Sequence, residues 1–172
     1  MGSSLDQDDM WKDDDEAVRP QSLNPWQVLI VDNEPDIHHA TRLAISNIHY
    51  KSRPLELLNA YSGAEATTML QANPRIAMIL LDVVMETDDA GLQLVHKIRN
   101  DMSNSLVRIV LRTGQPGQAP EQRVILDYDI NDYKTKTELT VQKLYTTVIA
   151  SLRSYETLSA IDKSRQGLGV QI

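Results

Sequence analysis

Four apolar runs in this 172-residue chain each end on polar residues suited to phosphoryl chemistry. They are Val28-Leu29-Ile30-Val31-Asp32-Asn33-Glu34, Ile79-Leu80-Leu81-Asp82, Val107-Arg108-Ile109-Val110-Leu111-Arg112-Thr113 and Ile130-Asn131-Asp132-Tyr133-Lys134-Thr135-Lys136. Continuous apolar runs are what strands covered on both faces require. From Pro25 onward such runs alternate with helical patterns, which predicts stacked βα units around a parallel sheet rather than a sandwich. In an open parallel sheet, functional groups gather outside the carboxyl ends of the strands, near the point where strand order reverses. An acid cluster, a lone Asp, a Thr and a Lys, far apart in sequence, should therefore meet at one sheet edge.

The elements can be placed approximately. Strands are expected at Val28–Val31, Leu55–Ala60, Ile76–Leu81, Leu106–Leu111 and Ile130–Tyr133. Pro35 suits the first turn of a helix, where its missing amide hydrogen is not needed, and that helix would carry Ile37, Leu43, Ala44 and Ile48. Ser62-Gly63-Ala64-Glu65 is a capping-box sequence that opens a second helix running to about Gln71. Gly91 to Arg99 has Leu92, Val95 and Ile98 at helical spacing. The turn-rich stretch from Thr113 to Pro120 should be a movable connection into a short helix near 122–128. From Glu138 the pattern is helical, and counted from Val141 the residues Leu144, Tyr145, Val148, Leu152, Tyr155 and Leu158 recur at steps of three and four. The early turns should cover the sheet, the stretch from Ser151 to Ile161 should present an apolar stripe to a partner, and Gly167 and Gly169 should end the helix.

Composition narrows the function classes. A hydrophobic content of 41% is enough for a core, and the net charge of −7 lacks the clustered cations that nucleic-acid phosphates demand. There are no cysteines, which rules out disulfides and thiolate chemistry. No apolar stretch reaches the roughly 18 residues of a membrane span, and no signal peptide is visible, so a cytoplasmic protein without membrane or nucleic-acid partners is expected. Residues 1–24 contain Asp6, Asp8, Asp9, Asp13, Asp14, Asp15 and Glu16 and should be disordered, with Trp11 the one plausible anchor.

Asp82 is the candidate nucleophile. A carboxylate can attack phosphorus and form an acyl phosphate, provided a cation offsets the charge of both partners. Mg²⁺ suits that task, since it accepts hard oxygen ligands and retains several waters. A Thr113 hydroxyl can donate to a phosphoryl oxygen and a Lys ammonium can pair with another. Lys134 and Lys136 share one side of an extended strand, so alternation does not choose between them. His38 and His39 diverge by about 100° on a helix and should be surface residues rather than joint metal ligands. The Gly114–Gly117 loop lacks a following Lys-Ser or Lys-Thr, which argues against a nucleotide P-loop.

These pieces, in this order, resemble the receiver domain of two-component response regulators over roughly Trp26 to Tyr155. The resemblance implies a flavodoxin-like (CheY-like) doubly wound five-stranded parallel sheet of order 2-1-3-4-5, with helices on both faces. It divides the chain into an acidic extension (1–24), a receiver domain (25–155) and a helical linker with a C-terminal tail (156–172). It implies a regulatory module rather than an enzyme: a histidine kinase or phosphotransfer protein donates a phosphoryl group to Asp82, with Mg²⁺ held by Asp32, Asn33, Asp82 and the backbone carbonyl of Val84. Thr113 and Lys136 would then engage the phosphoryl group, and Thr113 and Tyr133 would carry the switch. The family's lysine follows its switch aromatic by three positions, which selects Lys136 over Lys134.

The sequence departs from the family at two places. The second acid is replaced by Asn33, so Mg²⁺ should bind more weakly, and a pseudo-receiver that binds partners without phosphorylation is the alternative. A phosphatase reading is weaker, since Val84 stands where a second Asp would be needed. The turn Met85-Glu86-Thr87-Asp88-Asp89-Ala90-Gly91 is one residue longer than usual and lacks a proline. With Leu111–Pro120 and Ile130–Lys134, it resembles a bacterial subgroup whose receiver precedes a sensor-like domain and a cyclic-di-GMP output domain of HD-GYP or GGDEF type. No output domain lies in this chain, which suggests a fragment, and its last helix could pair two copies into a homodimer.

Overall fold

In the computed structural model of the chain, residues 24–114 and 129–170 are described. The elements are β1 (Trp26–Val31), α1 (Pro35–Ile45), β2 (His49–Tyr50), β3 (Arg53–Ala60), α2 (Gly63–Ala72), β4 (Ile76–Asp82), α3 (Ala90–His96, running into a π-helical turn at Lys97–Asp101), β5 (Arg108–Thr113), β6 (Asp132–Thr135) and α4 (Val141–Val170). The expected acidic tail and the short helix near 122–128 lie outside the described residues.

The sheet runs β2-β3-β1-β4-β5-β6, and every pairing is parallel except the β2–β3 edge. Without that edge strand the order is 2-1-3-4-5, as the resemblance implies. β1 and β4 occupy the centre, which is why their side chains are almost wholly apolar and buried. Order reverses between β1 and β4, so the crevice at their carboxyl ends is the switch point.

Two apolar clusters sandwich the sheet. On one face Val28, Met78, Leu80 and Val110 meet Ile45 of α1 and Leu144, Val148 and Leu152 of α4. On the other, Leu29, Ile79, Leu81 and Ile109 meet Ala66 and Leu70 of α2 and Leu92, Val95 and Ile98 of α3. Ser62 caps α2 as expected: its Oγ accepts from the Glu65 amide at 3.1 Å, and Glu65 Oε2 accepts from the Tyr61 amide at 2.7 Å.

Several expectations are corrected. The hairpin of β2 and β3 turns through Lys51 and Ser52, both with positive φ (51° and 62°). Neither is the Gly or Asn that normally announces such a turn. Trp26 secures the hairpin: its indole nitrogen donates to the Tyr50 carbonyl at 2.9 Å and Arg53 stacks 3.5 Å above its ring. On α1 the buried residues are His38, Thr41 and Ile45, whereas Leu43 is 69% exposed. The first turns of α1 lie beside the polar end of the sheet, so the helix turns polar side chains inward there.

α4 continues through Gly167 and Gly169 to Val170. Each glycine costs a helix only about 1 kcal/mol relative to alanine, too little to stop propagation by itself. Nor does α4 offer the expected apolar stripe. Leu152 is fully buried, Tyr155 packs against the core, and the exposed Tyr145 and Ile161 lie about 160° apart around the axis. Leu152 is thus a core residue. Leu152→Ala should lower stability by about 2–4 kcal/mol in urea unfolding; a loss below about 1 kcal/mol would contradict this packing.

Candidate functional site

Each apolar strand delivers its terminal polar residue to the same edge. Asp32 follows β1 directly, Asp82 is the last residue of β4, Thr113 the last of β5, and Lys136 follows β6. Asp32, Asp82 and Thr113 are all buried. The Lys136 amide donates to the Thr113 carbonyl at 2.7 Å, which extends the β5–β6 ladder by one step and fixes where the lysine departs. Its Nζ then lies 3.1 Å from Asp32 Oδ2, 3.4 Å from Asp82 Oδ2 and 3.9 Å from Glu34 Oε1. Lys134 is turned elsewhere, 3.8 Å from Asp132. Tyr133 is buried in the α2–α3 cluster, Asn33 is exposed, and Val84 is half-buried against that same cluster.

The turn after Asp82 is clasped at several points. The Gly91 amide donates to the Val83 carbonyl at 2.9 Å, and a Cβ on Gly91 would stand 2.1 Å from the Asp82 carbonyl oxygen, a place no side chain can occupy. Thr87 Oγ1 and Gln93 Nε2 both donate to Asp89 Oδ1 at 2.9 Å. Glu86 reaches across to the start of α2, where both carboxylate oxygens accept from the Gly63 amide at 3.0 and 3.1 Å. The longer turn without proline is therefore held by its own acids.

Electrostatics follow from this crowding. Burial, and then the neighbouring charge of Asp32, push the Asp82 carboxyl up to about 6, while Lys136 pulls in the opposite direction. Burial opposes the charge on Lys136, but Asp32, Asp82 and Glu34 together outweigh it and raise its ammonium above the ordinary range. Asp32 Oδ1 accepts from the Glu34 amide at 2.9 Å. Its buried Oδ2 makes no hydrogen bond of good geometry among the described residues and has only the ionic contact to Lys136. An under-coordinated carboxylate oxygen facing a second buried carboxylate is a fitting place for a hard cation. No group of three or more His, Asp or Glu side chains converges to hold a metal among the described residues. Water and backbone oxygens would have to complete any coordination shell.

Two residues were missed or misjudged from sequence. His38, expected at the surface, is 4% exposed. Its Nε2 lies 2.7 Å from the Asp32 carbonyl, its Nδ1 lies 2.8 Å from Asn59 Oδ1, and its ring stacks on Tyr61 at 4.2 Å. It braces the backbone from which Asp32 projects. Arg112 is also buried and donates from Nη1 to Thr41 Oγ1 at 2.9 Å, while Thr41 donates to the Ile37 carbonyl at 2.7 Å. Strand alternation gave a signal for Arg112, since it shares a face with the core residue Val110. Trp26, at the opposite end of β1 about 20 Å from Asp32, is poorly placed to report on cation binding.

A family model, the response regulator receiver domain, matches residues 28–149. The chain belongs to the response regulator receiver family. Over 153 residues this receiver is 50% identical to 3'3'-cGAMP-specific phosphodiesterase 2 of Vibrio cholerae, covering 89% of the chain and 29% of that relative. It is 28% identical over 110 residues to the chemotaxis protein CheY1 of Helicobacter pylori, covering 64% of this chain and 84% of that one. The signal receiver domain of an HD domain-containing protein from Pseudomonas fluorescens shares the fold, with a TM-score of 0.65 at 17% identity over 81% of this chain and 96% of that one. This receiver therefore spans less than a third of the Vibrio relative's length.

The raised Asp82 carboxyl has a thermodynamic consequence. An acid whose folded pKa exceeds its unfolded value favours folding when protonated, and that contribution is lost as pH rises from about 3.8 through about 6. In metal-free buffer, Asp82→Asn should stabilise this receiver by about 1–2 kcal/mol at pH 7.5 and by much less at pH 4.5. Chemical unfolding at both values checks it; an equal effect at the two would contradict a carboxyl raised by burial and by Asp32.

Proposed function

We propose that this receiver accepts a phosphoryl group on Asp82 from a histidine kinase or phosphotransfer protein, and that the resulting change in conformation controls an output domain. The observation that carries the reading is the convergence of Asp32, Asp82 and Lys136 within 3.1–3.4 Å of the lysine nitrogen at the switch point of the sheet. Asp82 attacks phosphorus through a carboxylate oxygen, a bond to the acyl oxygen forms, and the bond to the donor atom breaks with its electron pair leaving on the donor. Burial keeps competing water away from this oxygen. Lys136 is already positioned to pair with a phosphoryl oxygen once Asp82 carries the acyl phosphate.

Asp32, Asp82, Asn33 and the Val84 carbonyl are the groups we assign to Mg²⁺. When bound, the ion would neutralise the charge that builds up between the two carboxylates and the incoming phosphate. Asn33 contributes at most a neutral oxygen, so the two Asp residues carry most of the attraction. The buried Oδ2 of Asp32, whose one contact among the described residues is the ionic one to Lys136, supports this assignment.

For the switch, one hydrogen bond to a charged group contributes about 1.5–3 kcal/mol, whereas inverting a 1:99 equilibrium takes about 5.5 kcal/mol. Thr113 cannot supply that alone. We therefore assign the response jointly to Thr113, Lys136 and the aromatic Tyr133 on the strand between them. The output domain belongs to the longer protein of which this receiver would be one part, with cyclic-dinucleotide chemistry suggested by the name of the Vibrio relative. A cytoplasmic setting goes with that reading, and no described helix is long and apolar enough to cross a membrane. Pairing of two copies through α4 would have to use a face other than that of Leu144, Val148 and Leu152, which are committed to the core.

Acetyl phosphate with Mg²⁺ should add one phosphoryl group by intact mass, and Asp82→Ala should abolish the adduct. An unmodified wild-type protein that also fails to bind beryllofluoride would favour the non-phosphorylated interaction module. An adduct retained in Asp82→Ala would move the acceptor elsewhere.

A further inference from the structure

Beside the acidic pair lies a buried guanidinium that the phosphoryl-transfer reading leaves unused. In β5, Arg112 is the register partner of Asp82 in β4, one strand away. Val31 and Leu81 are partners in the β1–β4 ladder, so Asp32 and Asp82 follow as the next pair. Leu80, Val110 and Val28 all belong to the cluster on the α1–α4 face. By alternation, Asp32, Asp82 and Arg112 leave three adjacent strands on that same face. The Arg112–Thr41 hydrogen bond fixes this side for the arginine, because Thr41 belongs to α1. Arg112 is 4% exposed, and its Nε and Nη2 have no hydrogen-bond partner among the described residues. Such a cation is costly to bury unless opposite charge lies close by. Burial pulls the Arg112 guanidinium below its ordinary range, and the charges of Asp32 and Asp82 act against that.

We propose that Arg112 is a built-in counter-ion of the Asp32–Asp82 pair, a positioning residue that supplies permanently part of the charge compensation a divalent cation would otherwise provide. The inference rests on the cation site assigned above. Two buried acids then face two cations, Lys136 from above the strand ends and Arg112 from within the sheet face. Thr41 orients the fork, and its Nε and Nη2 find no acceptor among the described residues. The consequence is specific: this receiver holds its acidic pair together without metal, and it binds Mg²⁺ more weakly than the carboxylates alone would. Asn33 acts in the same direction by withholding a third negative charge. The site is thus set toward low cation affinity by an added positive charge as well as by a missing negative one.

The test compares Mg²⁺ affinity by calorimetry in the wild-type chain, Arg112→Gln, Arg112→Lys and Asp82→Ala, with each variant's unfolding measured with and without saturating Mg²⁺. Arg112→Gln should bind Mg²⁺ at least about fivefold more tightly, and the extra stability conferred by Mg²⁺ should grow accordingly. Arg112→Lys, which keeps the charge, should stay near wild type. A purely structural arginine would shift stability equally with and without Mg²⁺, leaving affinity unchanged, and that result overturns the proposal. If Asp82→Ala binds Mg²⁺ as well as wild type, the cation-site reading itself fails, and this inference with it. Should Arg112→Gln not fold, the Nε–H resonance of Arg112 in the wild-type protein decides: it should shift as Mg²⁺ is added, and an unmoved resonance overturns the proposal.

Discussion

Two carboxylates buried side by side at the end of a parallel sheet repel each other, and the structure around them is arranged to tolerate that repulsion. Asp32 and Asp82 are held there by the two central strands, whose apolar bodies leave no route by which the acids could retreat into solvent. The ammonium of Lys136 bridges them. That bridge depends in turn on β6 lying in register with β5, so the position of the lysine is a property of the whole sheet. A site of this kind has charge to be neutralised, and the proposed cation and phosphoryl group would meet it there.

The supports extend one layer outward. His38 braces the Asp32 carbonyl, Gly91 admits the α3 start against the Asp82 backbone, and Glu86 ties the following turn to α2. These contacts connect the acids to both layers of helices. Lys136 links Asp82 in turn to the end of β6. The longer turn after Asp82 keeps its shape through Asp89 and Glu86 where a proline would otherwise stiffen it.

The parallel sheet and its order were legible because buried central strands must be continuously apolar, and Val28–Val31 and Ile76–Leu81 satisfy that with no competing pattern. The convergence of Asp32, Asp82, Thr113 and Lys136 was legible for the same reason, since strand ends and topology place them together. Less was visible where polar partners decide the outcome. Leu43 and His38 exchanged expected places because α1 passes the polar end of the sheet, where a histidine finds the Asp32 carbonyl and Asn59 and a leucine would find nothing. The β2–β3 hairpin was hidden by a Lys51-Ser52 turn without glycine. Leu152 read as a docking residue because periodicity reports that a stripe is apolar, not which surface covers it.

The central claim is that the buried acids are a like-charge pair awaiting compensation, and carboxyl-carbon NMR of Asp82 tests it most directly. Without metal, the Asp82 carboxyl should titrate near 6, and saturating Mg²⁺ should move that titration down by more than about one unit. A carboxyl that titrates in the ordinary aspartate range, unmoved by Mg²⁺, would contradict the account.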